Sequence, residues 1–313
     1  MIRPLTAVLI LGVAAASAIA QPTPTVPPIS RENFPDRPEM LRRIALYESA
    51  ASRAEGAHAS NDSLVKLYAN LGALYQYAGF YLKSEDAMRH VIALLRPGPQ
   101  EQLAVAIGRL AMLHNAMGQA HQAEKEQMEV LKIRQTIGDR VGIAQTELDL
   151  ADVFLKQNHT KQGLEYAQEA EDVLADNPKV EADSRIAVRE TLAYALCGNR
   201  QCDKAIPLLL DAIQIAKTNY GPDSLSAGVA TYVLGYAYWH NGNPDAAAEL
   251  MESGTQRMKV DLGWGHVIYQ RAMAQYAKFL RERGQIEAAA TAEREVRQAA
   301  AVVDARSFTT RTQ

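Results

Sequence analysis

Tyr68-Ala69-Asn70-Leu71-Gly72-Ala73-Leu74-Tyr75 and Ile107-Gly108-Arg109-Leu110-Ala111-Met112-Leu113-His114 are two copies of one pattern. Further copies are centred on Leu150-Ala151, Leu192-Ala193, Leu234-Gly235 and Tyr276-Ala277. The small residue of each copy falls at 72, 111, 151, 193, 235 and 277, in steps of 39, 40, 42, 42 and 42 residues. A fixed period of this size marks a stack of identical supersecondary units, each too small to bury its apolar face alone.

Twelve residues beyond each small position stands another: Ser84, Ala123, Gly163, Ala205, Ala247 and Ala289. Small side chains let two helix axes approach to the short end of their usual separation, so two such positions flanking a turn predict an antiparallel helical hairpin. A large residue follows three positions after the first small one (Tyr75, His114, Phe154, Leu196, Tyr238, Leu280). Gly79, Gly118, Asn158, Gly242 and Gly284 then occupy the place where a helix ends in a left-handed residue. Repeat four has Arg200 in that slot after Gly198-Asn199, which predicts a turn of different geometry. Pro207 is expected to delay or distort the first turn of that repeat's second helix. The reading is all-α: a solenoid of about six antiparallel hairpins over residues 63–304, behind an N-terminal capping helix and loop at 39–62 and before a tail at 305–313.

The pattern resembles the tetratricopeptide repeat, with small residues at its eighth and twentieth positions and small or β-branched ones at the twenty-seventh (Val91, Val130, Ala170, Ala212, Gly254, Val296). Steps of 39 to 42, with loops such as Gly221-Pro222-Asp223-Ser224, are similar to the longer variant of kinesin light chains and many bacterial proteins. The resemblance implies a right-handed superhelix whose first helices line a concave groove. It also implies a scaffold that binds proteins or peptides, although one fold serves many partners.

The N-terminus carries an address. Leu5 to Ala16 runs without a charge and leads to Ser17-Ala18-Ile19-Ala20, a signal peptide over 1–20 with cleavage before Gln21. The apolar stretch is shorter than the roughly 20 residues of a membrane-spanning helix, so no stable membrane insertion is expected after cleavage. Residues 21–38 hold six of the chain's 13 prolines and read as an extended linker. The expected location is exported, either periplasmic or secreted.

Thirty-three basic and 36 acidic residues give a net charge of −3, with no basic stripe to follow phosphates, so nucleic acid is not an expected partner. The sequence contains no H-E-x-x-H, G-x-S-x-G, G-x-x-x-x-G-K or strand-linked G-x-G-x-x-G, and neither an enzyme nor a cofactor is indicated. His114 fills the large apolar slot and reads as a core histidine, and with His121 alone it would make an incomplete metal site. Cys197 and Cys202 bracket the turn of repeat four. In an oxidising compartment they are expected to form a disulfide that holds this hairpin closed in place of the turn glycine.

Carried over from the resemblance, the inner positions of repeat five are Val229, Tyr232, Tyr236, Trp239 and His240, with Tyr194 at the matching place in repeat four. Tyr232, Tyr236 and Trp239 share one helical stripe. Two placements stay open for it: a groove surface for a partner, or packing against repeats four and six. Asn70 and Arg109 are polar candidates near the N-terminal end, and the family's C-terminal carboxylate clamp lacks its residues. The functional reading is therefore an exported protein- or peptide-binding scaffold. Its rival is a small-molecule-binding solenoid, and Val296, Ala299, Ala300, Val302 and Val303 offer an uncovered face for a homodimer.

Overall fold

The computed structural model describes residues 37–263 and 266–309. The expected signal peptide, and the linker up to residue 36, lie outside them. The described residues form thirteen helices and no strand: α1 (Arg37–Gly56), α2 (Asn61–Ala78), α3 (Tyr81–Leu95), α4 (Gln100–Ala116), α5 (Ala120–Ile137), α6 (Arg140–Lys156), α7 (Thr160–Leu174), α8 (Ala182–Gly198), α9 (Cys202–Tyr220), α10 (Leu225–His240), α11 (Pro244–Leu262), α12 (Val267–Glu282) and α13 (Ile286–Thr309). After α1 they pair as six hairpins, from α2–α3 to α12–α13, and each hairpin packs on the next.

The paired small residues sit where two helices nearly touch. Ser84 Oγ donates to the carbonyl of Gly72 at 2.7 Å, joining the two helices of the first hairpin at its twelve-residue pair. Ala111 with Ala123, Ala193 with Ala205, and Ala277 with Ala289 are buried to within 1% of complete. A Cβ on Gly235 would lie 2.7 Å from Met251 Cγ and 2.9 Å from its backbone nitrogen. The twenty-seventh position works in the same way: a Cβ on Gly254 would stand 2.6 Å from Tyr232 Cβ and 2.7 Å from the Gly228 carbonyl.

All six hairpin turns share one geometry, and repeat four is no exception. The residue two places before the second helix is left-handed in each, with φ of 81° at Gly79, 81° at Gly118, 65° at Asn158, 60° at Arg200, 78° at Gly242 and 74° at Gly284. The next N–H then donates to the carbonyl of the large residue five positions back, as in Phe80 to Tyr75 at 2.8 Å and Gln201 to Leu196 at 2.9 Å. The different turn expected from Arg200 is thus corrected: the hydrogen-bond pattern imposes the left-handed residue, and a non-glycine takes it at a cost of roughly 1–2 kcal/mol. The Cys197–Cys202 disulfide spans this same turn, with the two Cα atoms 4.3 Å apart. Pro207 does not delay α9, which starts at Cys202 and carries the proline beyond its first turn.

Burial concentrates in the C-terminal half. In α8 every residue from Ile186 to Leu196 is buried, and α10 is buried on nearly all sides. Helix α8 is flanked by α9, α7 and the first helices α6 and α10, and α10 by α11, α9 and α8. First helices also pack on one another (α4 on α6, α6 on α8, α8 on α10), while second helices meet their hairpin partner and the following first helix.

Gly254→Ala should lower stability by roughly 1–3 kcal/mol, because backbone and Cβ atoms cannot yield as a side-chain tip can. Gly72→Ala should be close to neutral, since its new Cβ meets chiefly the flexible Cε of Met88. Thermal melts of the two variants side by side check the ordering.

Candidate binding face

Rings from three consecutive repeats form a ladder across α8, α10 and α12. Tyr194 lies 4.9 Å from Tyr236, centroid to centroid, and Tyr236 lies 4.3 Å from His240. His240 is 4.3 Å from Trp239, which stands edge-on to Phe279 at 5.5 Å. Trp239 Nε1 donates to Glu282 Oε2 at 2.9 Å, and Lys278 Nζ sits 5.6 Å from the ring centre. The Trp239–Phe279 contact is edge-on, a favoured aromatic geometry, and the other three contacts are tilted. Solvent meets the ladder at His240 and Lys278, with Tyr236 half-buried between them and the packed rings. Burial lowers the pKa of His240; Lys278 lowers it further and Glu282 opposes the shift.

The single stripe expected on α10 separates into different environments. Tyr232 is fully buried, and its hydroxyl donates to the Ala272 carbonyl of repeat six at 2.9 Å. Burial drives its phenol pKa well above the ordinary value. Tyr232 is therefore a core residue and presents nothing to a partner, which corrects its place among the groove candidates. The reason is that repeat six covers this side of α10, a fact that the spacing within one helix does not contain. Trp239 and Tyr194 are also buried, at 9% and 6% exposure. They support the face from behind, so among the four aromatic candidates Tyr236 is the one with substantial exposure.

The polar candidates are not gathered at this ladder. Asn70 is exposed on α2. Arg109 is half-buried on α4, where burial pushes its pKa down and Tyr77 acts against the shift. Lys278 and Glu282 were missed by sequence reasoning, although they stand one period of 42 residues after Tyr236 and His240, in the matching inner places of repeat six.

His114 is a buried core residue at 1% exposure, with Nδ1 2.7 Å from Glu126 Oε2. His121 is exposed and takes no part in that contact. Among the described residues no group of three or more His, Cys, Asp or Glu side chains could hold a metal ion, and no helix is long and apolar enough to cross a membrane. A hollow of about 710 Å³ lies beside the start of α6 and the end of α7, lined by Arg140, Glu171, Asp172 and Asp176 among others. It belongs to different helices from the ring ladder. Val296 is half-buried on α13; the side chains of Ala299, Ala300, Val302 and Val303 lie outside the described residues.

The site and the fold define an all-α repeat scaffold with a supported aromatic face. The tetratricopeptide repeat model matches residues 102–176 and 184–259, so this part of the chain is built of tetratricopeptide repeats, and they resemble the kinesin-light-chain-like variant. No curated protein sequence matches it. Among solved structures, BtubC (BKLC) from P. vanneervenii is 19% identical with a TM-score of 0.57, covering 71% of this chain and 91% of that one. The apo form of RapI is 13% identical with a TM-score of 0.69, covering 86% and 94%. A Rap protein complexed with Competence and Sporulation Factor is 15% identical with a TM-score of 0.65, covering 85% and 73%. At these identities the likeness is one of fold.

Trp239→Ala should cost about 3–5 kcal/mol of stability, as expected for a packed aromatic, and a melt should show it as a lowered transition. A pH effect is expected from His266, whose Nδ1 accepts the Ile268 N–H at 3.2 Å. Burial lowers its pKa to about 4 from the ordinary 6.5, so the folded chain keeps it neutral. The unfolded chain binds more protons between those values, and stability falls as pH drops through that window. From pH 7 to pH 4.5 the loss is about 2–3 kcal/mol. His266→Asn, which retains a capping oxygen, should lack this part of the acid loss in paired melts at the two pH values.

Proposed function

We propose that this protein is an exported scaffold that binds an extended peptide or protein segment on the inner face of its coil, at the surface made by Tyr236, His240 and Lys278. The observation that carries the reading is the ring ladder. Trp239, Tyr194 and Phe279 lie packed beneath a half-exposed tyrosine, so the ordering cost of that surface was met on folding. Tyrosine suits such a place because its ring can be buried by a partner while its hydroxyl keeps a hydrogen bond.

The inner location is supported by the packing of first helices on one another, since the elements on the inside of a curved stack crowd together. Peptide binding is supported by the fold likeness to a Rap protein complexed with a factor and to a Rap regulator in complex with the Phr* peptide. Export is supported by the apolar run ending in Ala18-Ile19-Ala20 and by a disulfide, which persists in oxidising compartments. No sequence motif for catalysis accompanies these features.

Capture from the exported fraction, with the chain from Gln21 as bait, tests the reading. Tyr236→Ala should weaken capture by roughly thirtyfold, the equivalent of about 2 kcal/mol for an interface anchor, while helix content stays near wild type. His240→Ala, at an exposed position, should weaken capture with little change in melting. Equal capture of the same partner by wild type and both variants would defeat the proposal.

A further inference from the structure

Repeat solenoids make contacts between neighbours, and the hydrogen bonds linking repeats here follow that rule. Tyr232 to Ala272 spans 40 residues, Trp239 to Glu282 spans 43 and Asn199 to Thr160 spans 39, each about one period. Arg271 does something different. Its Nη2 donates to the carbonyl of Asn115 at 3.3 Å and to that of Ala116 at 3.0 Å, residues 156 and 155 positions earlier. Repeat six thereby touches repeat two, which a stack of hairpins achieves only by curling until its two ends face each other.

Both sides of the contact suit the role. Arg271 stands near the start of α12, a first helix, at the second position of its repeat. Asn115 and Ala116 end α4, also a first helix, where the helix carries its negative pole; the Asn115 carbonyl also accepts the Gly118 N–H at 3.3 Å. The landing site is rigid. Asn115 is fully buried, its Nδ2 donates to Asp152 Oδ2 at 2.7 Å, and Lys156 Nζ lies 2.8 Å from the same carboxylate oxygen. Repeat one is within electrostatic reach as well: burial raises the pKa of Tyr81 and the charge of Arg271 works against that rise.

We propose that Arg271 is a clasp that closes the coil across its inner face by holding repeat six against the end of α4 in repeat two. A guanidinium suits this task because its Nη2 carries two N–H donors in a fixed plane at the end of a long stem, and these reach two adjacent carbonyls. A closed coil admits an extended peptide end-first, and sideways only once the clasp lets go. That consequence rests on the peptide-binding reading above, whereas the clasp itself does not.

The test measures geometry without any ligand. Spin labels are placed on Gln119→Cys and Gln285→Cys, two exposed residues at the hairpin turns of repeats two and six, under non-reducing conditions that leave the native disulfide intact. With Arg271 present, the distance distribution between the labels should be narrow. R271A should shift it to longer distances and broaden it while circular dichroism shows unchanged helix content. R271K, which keeps the charge but not the planar guanidinium or its reach, should fall between the two, and it decides the matter where R271A loses helix. The same narrow distribution in wild type and in both folded variants, or in R271K alone where R271A has lost helix, would overturn the proposal.

Discussion

Close approach of two helix backbones at paired small residues is the constraint on which the remaining structure depends. Where Met251 and Leu250 stand against Gly235, an added Cβ would meet the Met251 nitrogen at 2.9 Å and the Leu250 Cβ at 3.0 Å, atoms that cannot step aside. The spacing of twelve residues leaves room for one tight turn, and the left-handed residue with its five-residue hydrogen bond completes it. Once each hairpin has that shape, stacking hairpins buries the faces that single hairpins leave open.

Repeat four shows how strictly the turn is held. It places Arg200 in a backbone conformation that a side chain disfavours, and it does so with the same hydrogen bond as the glycine turns. The Cys197–Cys202 bridge spans that turn and ties the end of α8 to the start of α9. In the chain-entropy account a loop this short gains about 2 kcal/mol from its cross-link, enough to offset the backbone cost of Arg200.

The aromatic face is an outcome of stacking. Its rings come from α8, α10 and α12, and each is positioned by contacts with a neighbouring repeat: Tyr194 with Tyr236, and Trp239 with Phe279 and Glu282. This division of labour, with buried rings supporting one more accessible tyrosine, is how a modular scaffold obtains a rigid surface without a globular core. The same curvature that brings first helices together brings Arg271 to the end of α4.

The sequence by itself determined the unit. Small residues at positions 72, 111, 151, 193, 235 and 277, and again twelve later, prescribe hairpins, because steric limits at a helix crossing act on individual side chains and leave a local signature. The core role of His114 was legible for the same reason, from its place in the large slot. Which side of each first helix the next repeat covers is settled by the stacking of repeats. Tyr232 and Tyr236 are one helical turn apart and chemically identical, yet one is sealed against Ala272 and the other stays half-open beside His240. That difference, and the reach of Arg271 across four repeats, depend on small rotations between repeats that accumulate along the stack, and no single repeat encodes their sum.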